Sequence, residues 1–257
     1  MYYRLFKHAL IGPPVKAYYR PWIEGEENVP ENGGAILASN HLSFSDSIFL
    51  PLVLERKVVF LGKAEYFTGK GPKGWATRAF MEGVGVIPVH RGGGRASEAA
   101  LRTGLQALQS GELLGIYPEG TRSPDGRLYR GKTGAARMAI EAGVPIVPVA
   151  MIDTHIAQPI GQKVPSRHPI GVRIGEPIRI EAYAGRQDDR DALRELTDVV
   201  MRAIQELSGQ EYVDRDAAQY KRALDRAARE GTAAPSATSF QSPPSAPSAA
   251  ETKEEQQ

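Results

Sequence analysis

The sequence contains no cysteine, which excludes disulfides, thiolate metal centres and a cysteine nucleophile, and agrees with a reducing compartment. Any nucleophile here is oxygen or nitrogen. Long apolar runs are missing too: none approaches the ~18 residues that spanning a bilayer needs, and no small-residue cleavage site follows a signal-like core. Charge of one sign is also lacking. With 32 Lys and Arg against 30 Asp and Glu the formal net charge is +2, too little to indicate a nucleic-acid partner. Histidines are few and scattered: besides His41 there are His8, His90, His155 and His168. With no second histidine or carboxylate at ligand spacing, no metal site is expected.

What is present suffices for one domain: 257 residues, 41% of them hydrophobic, can bury the core of a single good-sized α/β unit. The first 23 residues carry Arg4, Lys7, Lys16 and Arg20 but no acid, interleaved with aromatic and aliphatic residues. Gly12-Pro13-Pro14 breaks a helix, so residues 1–21 are expected to form two short amphipathic helices. Their apolar side chains would enter a headgroup zone while the cations meet anionic lipid. A terminal helix packed on its own domain fits the same composition.

After Trp22, short apolar runs alternate with helical patterns, the signature of an α/β sheet with crossovers. Strands are expected at Ala35–Ala38, Val58–Leu61, Val84–Val89, Leu113–Tyr117, Ile146–Ala150 and Gly171–Ile174. Helices are expected at Ala96–Gln109, at Gly134–Ala142 ended by Gly143, and through the stripe Leu193, Leu196, Val200, Ile204 and Leu207. The organisation is therefore a membrane-associating segment at 1–21, a catalytic domain with C-terminal helices at 22–230, and a tail at 231–257. The tail is rich in Ala, Ser and Pro and is expected to be disordered, because it cannot bury enough apolar surface to offset its ordering entropy.

Four constellations carry chemistry. Asn40-His41-Leu42-Ser43-Phe44-Ser45-Asp46 follows directly on a strand, so His41 stands at a strand's C-terminal edge, where α/β folds place their sites. Five residues of continuous helix would rotate His41 and Asp46 about 140° apart. A turn must therefore intervene. With Ser43 or Ser45 capping a helix through Ser47–Leu54, Asp46 falls in the first helical turn, where the dipole favours negative charge, and the carboxylate can hold one imidazole N–H. The other nitrogen is then free to take a proton from a hydroxyl. A histidine satisfying strand-end carbonyls, with Asp46 as an ordinary cap, fits the same spacing. Ser43 and Ser45 lack the surroundings of a nucleophile elbow and read as caps.

Tyr117-Pro118-Glu119-Gly120-Thr121-Arg122 also follows a buried strand. Arg122 offers a planar fork for phosphate oxygens, Gly120 close backbone approach and Thr121 a hydroxyl donor, while Glu119 is expected to orient the arginine or an acceptor. A turn with a surface ion pair is the plainer reading of E-G-T-R. Past a third strand, Arg91 before Gly92-Gly93-Gly94 is a candidate second phosphate ligand. The run Val144–Ala150 holds Pro145 and Pro148, which demand an edge, a bend or an irregular ladder, and it reads as pocket wall.

In this order the four pieces, over about residues 22–180, resemble the glycerolipid acyltransferase family. Its N-H-x4-D block is matched by Asn40, His41 and Asp46, and its E-G-T-R block by Glu119–Arg122 without change. Its lysine and later arginine-glycine look like Lys63 and Arg91-Gly92, and its V-P-[IV]-[IV]-P-V run is similar to Val144–Val149. Lys63 also fits a solvated strand end. The resemblance implies an α/β fold with a mixed central sheet and flanking helices, preceded by the two-helix membrane motif. It further implies direct transfer of a fatty acyl group, with no cofactor, from acyl-CoA or acyl-carrier protein to the free hydroxyl of lysophosphatidic acid. His41 would be the base and Arg91 and Arg122 the phosphate ligands, on the cytoplasmic face of the cell membrane as a peripheral or monotopic protein.

Other readings remain open at this stage. The acceptor could be another lysophospholipid or a glycolipid, or the chain a lipid-binding scaffold without turnover. Gly126-Arg127-Leu128-Tyr129-Arg130-Gly131-Lys132-Thr133 matches the P-loop pattern letter for letter, with Asp153 after a later apolar run, but Glu119–Asp125 separate it from the preceding strand and its interior is bulky. Lys132 is either a solvated cation or a helper at the phosphate site.

Overall fold

The central apolar runs become strands because both faces of each are covered. In the computed structural model, which describes residues 6–10, 12–89, 93–162 and 164–233, the elements are α1 (Gly12–Tyr19), β1 (Trp22–Glu24), β2 (Ala35–Ser39), α2 (Asp46–Val53), β3 (Val58–Lys63), α3 (Gly71–Gly83), β4 (Val86–Val89), α4 (Gly93–Gln109), β5 (Leu113–Ile116), β6 (Leu128–Tyr129), α5 (Gly134–Ala142), β7 (Ile146–Ile152), α6 (Thr154–Ala157), β8 (Gly171–Ile174), α7 (Arg190–Ser208), β9 (Tyr212–Val213) and α8 (Ala217–Glu230). The chain divides into two units, residues 1–217 and 218–257. The sheet lies wholly in the first, and α8 beyond Ala217 belongs to the second. Residues 234–257, which hold nearly all of the expected disordered tail, lie outside the described residues, as do 1–5.

Seven strands form one mixed sheet in the order β1-β8-β7-β2-β5-β3-β4. β7, β2, β5, β3 and β4 run parallel, so their C-terminal ends share one edge. β8 is antiparallel to β7, and β1 pairs parallel with β8. Alternation along β2 shows the layering: Ile36 and Ala38 pack with Leu108, Ile140, Leu196 and Val200 of α4, α5 and α7. Ala35 and Leu37 pack on the opposite face with Tyr19, Phe49 and Leu50 of α1 and α2. The helix expected from the Leu193 stripe runs from a cap at Asp189, whose carboxylate accepts the N–H groups of Asp191 and Ala192, to Gly209 at φ 68°. Gly143, at φ 67°, ends α5 as expected.

Val144–Ala150 takes the irregular-ladder alternative and departs from the pocket-wall reading. β7 lies in the middle of the sheet, not at an edge, and its residues are core on both faces instead of pocket wall. Pro148 is tolerated because the ladder to β8 is irregular there. The paired stretch begins at Val149 opposite Ile174, Gly175 N–H donates to Pro148 O at 2.9 Å, and Ile146 pairs with Ile178 beyond the interruption. The missing donor of the proline ring thus faces a break in the pairing.

The N-terminal segment does divide at Gly12-Pro13-Pro14, into a π-helical turn Phe6–Leu10 and α1. One side of it is bound to its own unit. Lys7 is buried, with Nζ donating to Leu54 O and to Glu55 O at 3.0 Å, and burial lowers its pKa to about 8. Tyr19 packs edge-on against Phe49 at 5.1 Å and its hydroxyl donates to Pro165 O at 3.0 Å. No helix of the described residues is long and apolar enough to cross a membrane.

Candidate active site

β2 ends at Ser39 and α2 starts at Asp46, leaving residues 40–45 as the turn that lets the dyad meet. His41 Nδ1 lies 2.9 Å from Asp46 Oδ2. The same oxygen accepts the backbone N–H groups of Leu42 and Ser43, each at 2.8 Å. An oxygen already receiving two donors is an acceptor toward the ring, so Nδ1 carries the proton and Nε2 presents a lone pair. Asp46 is fully buried, whereas the His41 side chain is 17% exposed, and Nε2 makes no hydrogen bond among the described residues. The ring stacks on Tyr117 at 3.8 Å with planes 9° apart, and the Tyr117 hydroxyl bonds Ser47 Oγ at 2.8 Å. Burial, then the Asp46 carboxylate, push the Tyr117 phenol well above its ordinary pKa, so it stays neutral beside the histidine.

The serines do not cap α2 through their hydroxyls. Ser45 occupies the capping position with its carbonyl, accepting Ile48 and Phe49 N–H at 2.8 and 2.9 Å, without a side-chain cap bond. Its Oγ instead meets Ser43 Oγ at 3.0 Å, and Ser43 Oγ reaches Gln158 O and Oε1, both at 3.1 Å. Asp46 is the first residue of the helix and its own carboxylate caps the turn before it.

Asn40, a motif residue with no role assigned from sequence, replaces a missing strand partner. Its Oδ1 accepts Met151 N–H at 2.7 Å and its Nδ2 donates to Met151 O at 3.1 Å and to Gln210 Oε1 at 2.7 Å. The amide continues the β2–β7 ladder by one step past Ser39 and aims the next residue, His41, off the sheet.

Glu119 is 1% exposed, and its two carboxylate oxygens are taken by backbone N–H groups and not by an arginine. Oε1 accepts His41 N–H at 3.1 Å and Oε2 accepts Tyr129 N–H at 2.9 Å. Ser123 N–H donates to His41 O at 2.7 Å, so the E-G-T-R loop grips the His41 backbone at both polar atoms. Burial raises the Glu119 carboxyl to about pH 8, against the pull of the two N–H donors and with Asp46 and Asp125 adding to the rise.

The remaining E-G-T-R residues stay at the sheet edge. Gly120 has φ 73°, and a Cβ there would lie 3.1–3.2 Å from the end of the Lys132 side chain. Thr121 and Arg122 are half-buried, and the Arg122 guanidinium has no ion pair or hydrogen bond among the described residues. Lys132 lies along Gly120, with its N–H on Pro118 O at 2.8 Å and Nζ 3.8 Å from Asp216 Oδ2. Lys63 ends β3, exposed and in register with Val89 of β4. Arg91 and Gly92 lie outside the described residues, two and three positions past that strand. Parallel pairing therefore brings the ends of β2, β5, β3 and β4 together, carrying His41, Glu119 and Lys63.

The letter-for-letter P-loop match folds otherwise. Leu128 and Tyr129 form β6, are fully buried and pair with β9, while Tyr129 and Arg130 N–H groups are taken by Glu119, Val213 and Arg215. No backbone cradle for phosphate exists there. Among the described residues no cluster of histidines and carboxylates suits a metal.

The family model described as Acyltransferase matches residues 20–152. A chloroplast 1-acyl-sn-glycerol-3-phosphate acyltransferase of Brassica napus is 34% identical over 163 residues, 63% of this chain, and the chain spans only 46% of that relative's length. The 1-acyl-sn-glycerol-3-phosphate acyltransferase of Bacillus subtilis is 27% identical over 187 residues, covering 72% of this chain and 86% of its own. The crystal structure of the 1-acyl-sn-glycerophosphate acyltransferase of Thermotoga maritima aligns with a TM-score of 0.58 at 26% identity, over 77% of this chain and 80% of that one. With the His41–Asp46 pair and the E-G-T-R loop on one sheet edge and a family model matching half its length, the chain belongs to the acyltransferase family.

Proposed function

We propose that this chain transfers a fatty acyl group from acyl-CoA or acyl-carrier protein to the free hydroxyl of lysophosphatidic acid, giving phosphatidic acid for phospholipid biosynthesis. The carrying observation is the proton-locked His41: Nδ1–H on Asp46 leaves Nε2 as the base at the sheet edge. Nε2 takes the acceptor's hydroxyl proton as its oxygen attacks the thioester carbonyl. The tetrahedral intermediate collapses with loss of the thiolate, which receives the proton back from the imidazolium. No cofactor takes part, and the thioester is the cosubstrate. Glu119 and Ser123 act as positioning residues through the His41 backbone. Arg122, whose guanidinium makes no ion pair or hydrogen bond among the described residues, and Lys132, whose side chain lies against Gly120, favour a phosphomonoester acceptor, with Lys63 and Arg91 as the further candidate cations. We place the enzyme at the cytoplasmic face of the cell membrane, where its acceptor is dissolved.

The test is an acyl-transfer assay with a panel of lysophospholipid, glycolipid and neutral acceptors. His41→Ala is expected to abolish transfer, and Arg122→Ala to raise KM for lysophosphatidic acid far more than for a neutral monoacylglycerol. Turnover unaffected in His41→Ala sinks the mechanism. Equal Arg122→Ala effects on charged and neutral acceptors sink the phosphate assignment.

A further inference from the structure

A hydrogen bond at Nδ1 fixes one coordinate of an imidazole and leaves another free. With Nδ1 held 2.9 Å from Asp46 Oδ2, the His41 ring can still tilt about that contact. The Nε2 lone pair lies in the ring plane, so a tilt swings the base away from the hydroxyl it must deprotonate. Tyr117 sets the plane: its ring stacks on the imidazole at 3.8 Å and is only 9° from parallel.

Tyr117 is itself held at its ring and at its hydroxyl. Phe60 of β3 stacks on the ring at 5.6 Å with planes 18° apart, so His41, Tyr117 and Phe60 are three near-parallel rings. Phe60 is in register with Gly115 of β5, where a Cβ would lie 2.3 Å from Phe60 Cε1. The glycine therefore lets Phe60 lie across β5, on the face from which Tyr117 projects two residues later. At the hydroxyl, Tyr117 meets Ser47 Oγ at 2.8 Å. Ser47 is the second residue of α2 and follows Asp46 directly. Consecutive residues of one helical turn thus hold both coordinates of the base. Asp46 sets its rotation within the plane, and Ser47, through Tyr117, sets the plane.

We propose that Tyr117 and Ser47 are a second positioning pair of the active site. They fix the plane of the His41 imidazole, and the Tyr117 π face attracts the imidazolium that forms when Nε2 takes the acceptor's proton. The inference rests on the reading of His41 as the base of acyl transfer and deepens it by naming what aims the base.

Tyr117→Leu is expected to lower kcat for acyl transfer about 100-fold with little change in KM, because the plane is released and the cation loses its π face. Tyr117→Phe keeps the ring and should retain about ten times the turnover of Tyr117→Leu. Ser47→Ala is expected to match Tyr117→Phe, and the double variant Ser47→Ala/Tyr117→Phe to lose no more kcat than either single one, since all three remove the same bond. Melting temperatures should behave differently. Each single variant leaves a hydroxyl without its partner and melts lower, whereas the double variant removes both hydroxyls and regains most of the loss. A bond that served only the fold would return activity along with stability, so full turnover in the double variant overturns the proposal. Wild-type kcat in Tyr117→Leu, or a raised KM at unchanged kcat, overturns it as well.

Proton resonances of the labelled imidazoles read the stack without turnover. Those of His41, assigned by their loss in His41→Ala, are expected upfield of the other histidines and to move back in Tyr117→Leu. Unshifted His41 resonances in the wild type overturn the proposal. Upfield resonances in a protein that transfers acyl groups to no acceptor support the pair as the holder of the His41 plane and instead overturn the acyl-transfer reading.

Discussion

The backbone of His41 is held at N–H by Glu119 and at C=O by Ser123, and its ring is held by Asp46 below and Tyr117 alongside. Removing one restraint should therefore cost rate without removing the base. Asp46→Asn no longer enforces the Nδ1–H tautomer, and turnover is expected to fall about 10²–10⁴-fold with KM little changed, measured in steady-state acyl transfer. Glu119 carries a pH signature. Its folded carboxyl titrates near 8 against 4.5 for a free one, so between those values the folded state binds the proton that the unfolded chain has released. Stability contributed at this site thus falls as pH rises from about 4.5 to 8. Melting temperatures of the wild type should decline across that window, and Glu119→Gln should lack that part of the slope. Its overall stability should also be lower, because its amide nitrogen faces an N–H.

At the scale of elements, the strand ends are tied by side chains acting as backbone. Asn40→Ala leaves Met151 N–H and C=O buried without their partners, and is expected to destabilise the protein by about 1–3 kcal/mol, read as a lower denaturant midpoint at unchanged m. Lys7 couples the N-terminal turn to the end of α2 with the opposite pH sense to Glu119. Its folded pKa near 8 lies below the free value of 10.5, so the unfolded chain binds the extra proton between them and stability should rise with pH across that window. Lys7→Met should flatten the rise in alkaline thermal melts. The two-residue strands β6 and β9 and the three-residue β1 have no periodicity to read, because pairing partners and not local pattern make them strands. The longer strands and α7 were legible, since each buries one or both faces and shows it in its spacing.

For the whole molecule, the N-terminal segment and the domain are not independent. Deleting residues 1–20 is expected to lower the melting temperature as well as vesicle binding, because Lys7 and Tyr19 leave the α2 face with it. A loss of lipid binding with unchanged melting would show that the segment rests on the domain without supporting it. The dyad, the E-G-T-R loop and the need for a turn between His41 and Asp46 were legible because each is a matter of residue type and local spacing. The sequence by itself therefore determined the chemistry on offer: an oxygen or nitrogen catalyst, a base with an orienting acid, and cations for a phosphate. Only the tertiary structure decided which polar groups face the reaction. Glu119 is spent on His41, 78 residues away, and Ser43 on Gln158, 115 away. It also decided that parallel strand order gathers these ends on one edge, since non-local pairing is set by burial across the sheet, which no local pattern encodes.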